Sequence, residues 1–530
     1  RRPQDFLRDL DSPREVTPRL YSEGISPGDI KQGALGDCWF LAALAALTEY
    51  HSTIEGLLAK CEFNDEGVYE VCCWKNGVLT SVIIDDWFPC SPITGKPVYS
   101  HTHGDELWVI ILEKAWAKLH GSYQQIEAGI PYQALMDLVC QPGLSAPFRL
   151  HQAEIKSGAY FKMLQRYDDE GYLMAAATPG KDDMTKRLGN IPSGGIVPGH
   201  AYTLKAVKEY DGHRLICLRN PWGKFEWDGD WSDKSSRWDE VTCHGIGYTP
   251  CADDGLFWMS DVDFFTHFDD VQAAHCRANS GAAWSIAIEK IPLSGGDGWL
   301  VAAIQFHVDA PCEGFVTLWQ QDERQRHAPK YSRMPFAIYG PVEDKMIPIE
   351  KMRSPAWPRR EMVREVKLTP GRYFCAVWNL DAERADKQTE AVMMFHLAPA
   401  EQSSESVNLA VKAVPSSEKL AKMATLCSVT SGWGTKIRES GDVIVHSGWL
   451  PDSGFAIALR STAQETLEAR MDFSDSNGLQ LVGVQEGMVA AVTLHPADQP
   501  QLGAELRPLQ SKTDGKRNVS YSLSCAKVGT

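Results

Sequence analysis

The feature that most constrains this chain is a change of hydrophobic period part-way along it. Up to about residue 275, helical and strand-like patterns are mixed; from about 299 the apolar residues fall in short strand-like runs. The runs lie at 299–308, 314–320, 362–368, 372–378 and 390–397, with Pro370-Gly371 as a turn. A second series occupies 407–414, 442–449, 454–462, 466–473, 479–485, 488–495 and 518–526. Short strands separated by turns indicate β-sandwiches. The polar stretch from Ala400 to Ser406 reads as the joint between two similar modules. At roughly 150 residues per domain, 530 residues accommodate three or four domains.

In the first half, residues 38–48 are predicted as a buried helix. Trp39, Phe40, Leu41, Leu44 and Leu47 leave it almost no polar face. Residues 105–119 are amphipathic, with Leu107, Ile110, Ile111, Ala115 and Leu119 near helical spacing and Gly121 past the end. The runs 201–207 and 215–218 flank Asp211-Gly212, a hairpin signal.

Composition narrows the partners. Hydrophobic residues at 43% and charged residues at 23% are ordinary for a soluble globular chain. Lys and Arg total 53 against 69 Asp and Glu, a formal charge of −16. That balance argues against nucleic acid, which requires clustered cations. It suits a soluble protein, or one that collects cations. The 14 cysteines are scattered apart from Cys72-Cys73, and no C-x-x-C occurs, which removes zinc fingers and thioredoxin-type motifs. Reduced thiols in an intracellular, cytoplasmic protein are expected. The longest apolar run, from Trp39 to Leu47, is too short to span a bilayer. The chain opens at Arg1 without an initiator Met or a signal-peptide pattern, which reads as a fragment of something longer.

Chemistry concentrates in three segments. The glycine-rich stretch from Gln32 to Leu41 delivers Cys38 to the first turn of the buried helix. The unpaired N–H groups and positive helix end there favour thiolate over thiol. Read alone, a cysteine in such a place is a packed core thiol. Pro198-Gly199-His200 sets a histidine at the start of one hairpin strand, and Asn220 follows the end of the other. Alone, His200 reads as a satisfied structural residue and Asn220 as a turn former. If the strands pair, the two meet at one end of the hairpin. An amide oxygen accepting from one ring nitrogen fixes the tautomer and leaves the other to take the thiol proton. Gln32 is placed to donate a side-chain amide to an oxyanion.

The sequence resembles the calpain-family, papain-like cysteine proteases. The matching stretches are Gln32 to Leu41, Leu112 to Lys118, Gly199 to Tyr202, Arg219 to Gly223, Gly229 to Asp233 and Asp254 to Ser260, in family order. The resemblance implies Cys38 as nucleophile, His200 as base and acid, Asn220 as orienting residue, Gln32 as oxyanion donor and Trp222 as the indole beside His200 and Asn220. It implies an α+β core of two papain-like lobes, the substrate cleft between them and the split near Pro142–Pro147. It also implies a calcium site in each lobe. Asp29, Glu106 and the backbone at Ser22 and Gly24 match the first, an all-oxygen set that suits Ca²⁺. Read alone, Asp29 is a turn residue and Glu106 a helix-start carboxylate. Glu226, Asp233 and Asp254 match the second, but Leu256 stands where the family has a carboxylate, leaving Asp253 or water to fill the gap.

Two other signals carry less. His101 and His103 beside Asp105 are too few for a metal site. The run 472–478 has Asn at the sixth position of an EF-hand loop and Gly483 in place of its Glu, so it is rejected. Absent EF-hands and a β-rich second half resemble the atypical calpains. The expected organisation is an extension at 1–20, the Cys lobe at 21–143, the His/Asn lobe at 144–275, and β-sandwiches at 276–400 and 401–530. The expected function is a calcium-dependent endopeptidase making limited cuts in protein substrates. The alternative is a silent scaffold whose sandwiches bind membrane or partner proteins.

Overall fold

The computed structural model describes the chain except residues 9–16, 23, 61, 103, 181–193, 252–253, 276–283, 293–299, 323, 325–330, 341–358, 380–389, 401–406, 415–435, 441–442, 450–454, 464–466, 474–478, 482–488, 495–500, 509–521 and 528–530. One unit comprises Arg1–Ala283 with Asp322–Pro329, the other Trp284–Gln321 with Lys330–Thr530.

The first unit runs α1 (Pro3–Arg8), α2 (Cys38–Leu47), α3 (His51–Leu57), β1 (Val68–Lys75), β2 (Val78–Asp85), α4 (Trp108–His120), α5 (Pro131–Val139), β3 (Gly143–Pro147), α6 (Gln152–Ser157), α7 (Ala159–Asp169), β4 (Leu173–Ala177), β5 (Ala201–Tyr210), β6 (His213–Arg219), α8 (Glu240–Ile246), β7 (Leu256–Ser260), α9 (Asp261–His267) and β8 (Asp270–Ala274). Every residue of α2 is buried, as its apolar sequence requires. Burying each of its Leu and Phe side chains contributes about 1.5–3 kcal/mol.

Helix α4 starts at Trp108, three residues later than its periodicity suggests. Arg19 donates to the Asp105 carbonyl and accepts from the Leu107 N–H, both at 3.0 Å, which draws Asp105–Leu107 into an extended bridge. Glu106 therefore precedes the helix and is not a carboxylate at its start. Gly121, at φ 102°, ends it as expected.

Two apolar clusters divide the unit. One gathers α2, α4 and α5 and draws mainly on residues between Phe6 and Leu138. The other, from Ala146 to Ala273, fills one face of a six-stranded antiparallel sheet ordered β3-β8-β4-β5-β6-β7. The hairpin β5–β6 turns at Asp211 (φ 46°) and Gly212 (φ 76°), as predicted from that dipeptide. Thr203 pairs with Arg219, so His200 and Asn220 leave the same end of the ladder.

The second unit is all strand among its described residues. Two four-stranded sheets share one apolar cluster. One joins Phe336–Tyr339, Gly371–Trp378, Leu300–Val308 and Leu409–Val414; the other joins Glu361–Leu368, Cys312–Gln320, Glu390–Pro399 and Ser285–Pro292. A five-stranded and a three-stranded sheet follow. Leu409–Val414, grouped above with the second series, instead pairs with Leu300–Val308. Its ladder partners, not the polar stretch before it, decide where it belongs. Most of that stretch, 401–406, lies outside the described residues.

Candidate active site

The turn that leads into α2 is set by close backbone approach. A Cβ on Gly33 would lie 1.5 Å from the Tyr99 carbonyl oxygen, so only glycine fits. Ala34 N–H donates to Val98 O at 2.9 Å, and Gln32 Nε2 donates to Leu35 O at 2.7 Å. Cys38 is thereby held as the first residue of α2, 7% exposed and packed against Ala42 and Ala201. Ala201 is the residue after His200. Thr203 Oγ1 donates to Ala42 O at 2.9 Å, a second tie between the cysteine helix and the histidine strand.

His200 is 2% exposed, and its backbone is gripped by Thr178. His200 N–H donates to Thr178 Oγ1 at 2.9 Å, and Thr178 N–H donates to His200 O at 3.0 Å. The His200 Nε2 to Asn220 Oδ1 distance is 2.9 Å. The orientation of the Asn220 amide follows from its surroundings. Its Nδ2 donates to Lys224 O at 2.7 Å and Phe225 O at 3.1 Å, while Oδ1 accepts from Trp222 N–H at 3.0 Å. The oxygen therefore faces the ring and His200 donates from Nε2. The Trp222 indole lies 4.6 Å from the imidazole centroid at 48°, and Tyr202 stands edge-on at 5.0 Å. Asn220 is fully buried, and its N–H donates to Gly255 O at 2.8 Å.

Cys38, His200, Asn220 and Trp222 thus belong to one neighbourhood. Gln32 joins it through its backbone, whose N–H donates to Pro221 O at 3.5 Å. One side-chain amide hydrogen of Gln32 is spent on Leu35 O.

The residues expected for a first calcium set make their own hydrogen bonds. Glu106 accepts from Ser22 N–H at 2.7 Å. Asp29 is 6% exposed and accepts from Ser26 N–H at 2.8 Å, Ser26 Oγ at 2.9 Å and Trp108 Nε1 at 3.3 Å. Trp108 lies two residues beyond Glu106, so Asp29 is tied to the start of α4 close in sequence to the second buried carboxylate. An all-oxygen set of that kind fits Ca²⁺.

The second set is more dispersed. Glu226 accepts from Gly255 N–H at 2.8 Å, Asp254 from Leu256 N–H at 2.7 Å, and Asp233 from the Tyr248 hydroxyl. Burial pushes Asp233 up, with the neighbouring Asp254 charge adding to it. Asp253, His103 and most of 472–478 lie outside the described residues. Among those described, the trio of ligand atoms within 4.8 Å of one another is His120, Asp137 and Asp322, which no motif marked. A cation is already there. Lys75 Nζ lies 2.9 Å from His120 Nε2 and 3.0 Å from Asp137 and also meets Asp322, while His120 Nδ1 faces Trp116 O.

The sequence did not mark Thr178, and it marked Gly255 and Arg219 only within matching stretches, without a role in this neighbourhood. Arg219 is 3% exposed; burial pulls it down to about 10, while Asp254 and Asp29 oppose that shift. Nothing local in the chain signals their contacts, since each meets a partner twenty or more positions away.

A signature of the calpain family of cysteine proteases matches residues 1–275. Over 281 residues the chain is 43% identical to the calpain-type cysteine protease DEK1 of Zea mays, covering 52% of this chain and 12% of that protein. It is 36% identical to calpain clp-4 of Caenorhabditis elegans over 276 residues, 50% of this chain and 37% of the relative. With Calpain-A of Drosophila melanogaster it shares 35% over 298 residues, 53% and 34% of the two chains. The matched stretch therefore spans well under half the length of each of these relatives. The chain belongs to the calpain family of cysteine proteases.

Proposed function

We propose that this chain is an intracellular, calcium-dependent cysteine endopeptidase that makes limited cuts in protein substrates. The observation that carries the reading is the oriented His200–Asn220 hydrogen bond at 2.9 Å beside the helix start that holds Cys38. With Nε2 committed to Asn220, Nδ1 is the nitrogen that takes the Cys38 proton. The thiolate attacks the scissile carbonyl, and His200 returns the proton to the leaving amine, giving a thioester acyl-enzyme. Water activated by His200 then hydrolyses the thioester and restores the thiol. The second N–H of the Gln32 amide stabilises the oxyanion. Trp222 keeps water from the His200–Asn220 bond, which strengthens it.

Asp29, Glu106 and the carbonyls of Ser22 and Gly24 would hold calcium in the first lobe; Glu226, Asp233 and Asp254 are the candidates in the second. When bound, calcium supplies the charge that draws such oxygens together. Asp29 lies on the turn leading to Gln32, so order there passes along the chain to the oxyanion donor and Cys38. The paired sheets of the second unit read as tandem β-sandwiches that contact protein or membrane partners.

Labelling by an epoxysuccinyl inhibitor, which needs an activated thiolate, tests the reading. An adduct at Cys38 that depends on calcium, together with casein cleavage abolished by Cys38→Ala, is expected. Full activity in excess EGTA removes the calcium part. No adduct with or without calcium sinks the enzyme and favours a scaffold.

A further inference from the structure

Asp37 directly precedes Cys38 and is fully buried, yet its side chain does not cap α2. Its carbonyl makes the usual first helical bonds, accepting from Phe40 N–H at 2.9 Å and Leu41 N–H at 3.2 Å. An Asp at this position ordinarily also accepts a backbone N–H with its carboxylate. Here the carboxyl group instead meets that of Glu113, midway along α4 and 2% exposed. Ser100 completes the shell of Glu113, its N–H donating at 3.0 and 3.2 Å to the two carboxyl oxygens and its hydroxyl donating to one of them. A carboxylate can only accept. Two carboxyl groups therefore bond to each other only when one of them carries a proton, and burial makes two adjacent negative charges costly. Consistent with this, burial pushes Glu113 up, against the opposing pull of its hydrogen bonds to Asp37 and Ser100.

We propose that Asp37 and Glu113 share one proton and act as a positioning pair for Cys38, which rests on Cys38 being the nucleophile. The shared proton ties the turn before α2 to α4. The segment that carries Ser100 holds the same turn from the other side, through Tyr99 O against Gly33 and Val98 O accepting from Ala34. The start of α2 is thus fixed at both ends of its approach. The pair also places one negative charge, rather than two, beside the helix end where the thiolate forms. Among the described residues, the Tyr123 phenol lies within electrostatic reach of both carboxyl groups, and it stacks on Tyr99 at 4.2 Å. Burial is the main cause that pushes Tyr123 up, with the Glu113 charge next.

The test combines alkylation of Cys38 by an epoxysuccinyl reagent across pH with thermal melts. Glu113→Ala is expected to slow alkylation by about tenfold or more, from misplacement of the nucleophile. Glu113→Gln can accept from Ser100 and donate to Asp37, so it restores the rate to within about threefold and flattens the alkaline limb of the profile, since an amide does not titrate. In melts, the Asp37→Ala/Glu113→Ala double variant loses clearly less than the sum of its single variants. A folded Glu113→Ala protein alkylated at the wild-type rate, or additive melting losses, overturns the pair. If wild type is never alkylated, the proteolytic reading fails, and the melting cycle alone decides whether the two carboxyls are coupled.

Discussion

Gly255→Ala tests whether the site depends on backbone contacts made to Asn220 by a residue outside the proposed catalytic set. Gly255 has φ +83°, and a Cβ there would lie 2.7 Å from Asn220 O and 2.9 Å from Gly223 Cα. Both are backbone atoms, so neither can swing aside. Ordinary contact begins near 3.4 Å, so the Asn220 carbonyl must retreat by about 0.7 Å. An L-residue at positive φ costs about 1–2 kcal/mol. Overpacking against fixed backbone adds about 1–3 kcal/mol, giving about 2–5 kcal/mol in all. For a unit of this size that lowers the melting temperature by about 5–15 °C. Asn220 carries the orienting oxygen for His200, and misplacement by about 1 Å costs about 10²-fold in rate. A displacement of this size should therefore slow casein cleavage and Cys38 alkylation by about 10–100-fold. The loss should persist at temperatures where circular dichroism shows the variant folded. A Gly255→Ala protein that melts within a degree of wild type and alkylates at the wild-type rate refutes the reasoning.

Two further outcomes follow from buried charge. Asp270 accepts from Ser145 Oγ at 2.8 Å and Gln272 Nε2 at 3.1 Å, and burial pushes it up to about 6 from an ordinary 3.8. Because the folded value is the higher one, its stabilising contribution is complete below about pH 4 and lost as pH rises through about 6. Asp270→Asn should therefore match wild type in melts near pH 4 and exceed it by about 2–3 kcal/mol at pH 8; a difference that does not change with pH would contradict this. Lys75→Met removes the ammonium shared by Asp137, Asp322 and His120, whose ring burial pulls below its usual range. That should cost about 3–5 kcal/mol in a urea titration, with partial recovery on adding Asp137→Asn; an unchanged midpoint would show that the ammonium is not needed.

Much of the site was legible because its signals are local. Ten apolar residues in a row make α2 a buried helix whatever surrounds it, and Cys38 at its first position follows from the glycine-rich turn before it. Asp211-Gly212 fixes the β5–β6 turn, which is enough to bring His200 and Asn220 to one end. Glu106 was misplaced for the opposite reason. The apolar period that marks α4 continues through Leu107, but Arg19, almost ninety residues earlier, claims the backbone of Asp105 and Leu107. Leu409–Val414 was grouped with the wrong series because an alternating strand carries no label for its partner.

The sequence by itself determined which residues could do chemistry, the change from mixed to all-β architecture, and the two turns that present Cys38 and His200. Only the tertiary structure decided the Asn220 amide orientation, the hold of Thr178 on His200, the close approach of Gly255 and the pairing of Asp37 with Glu113. The physical reason is one of range. Helix period, glycine turns and hairpin dipeptides act over a few residues and leave a readable pattern. Hydrogen bonds between buried groups and the steric limits of packed backbone act between residues far apart in the chain, and leave none.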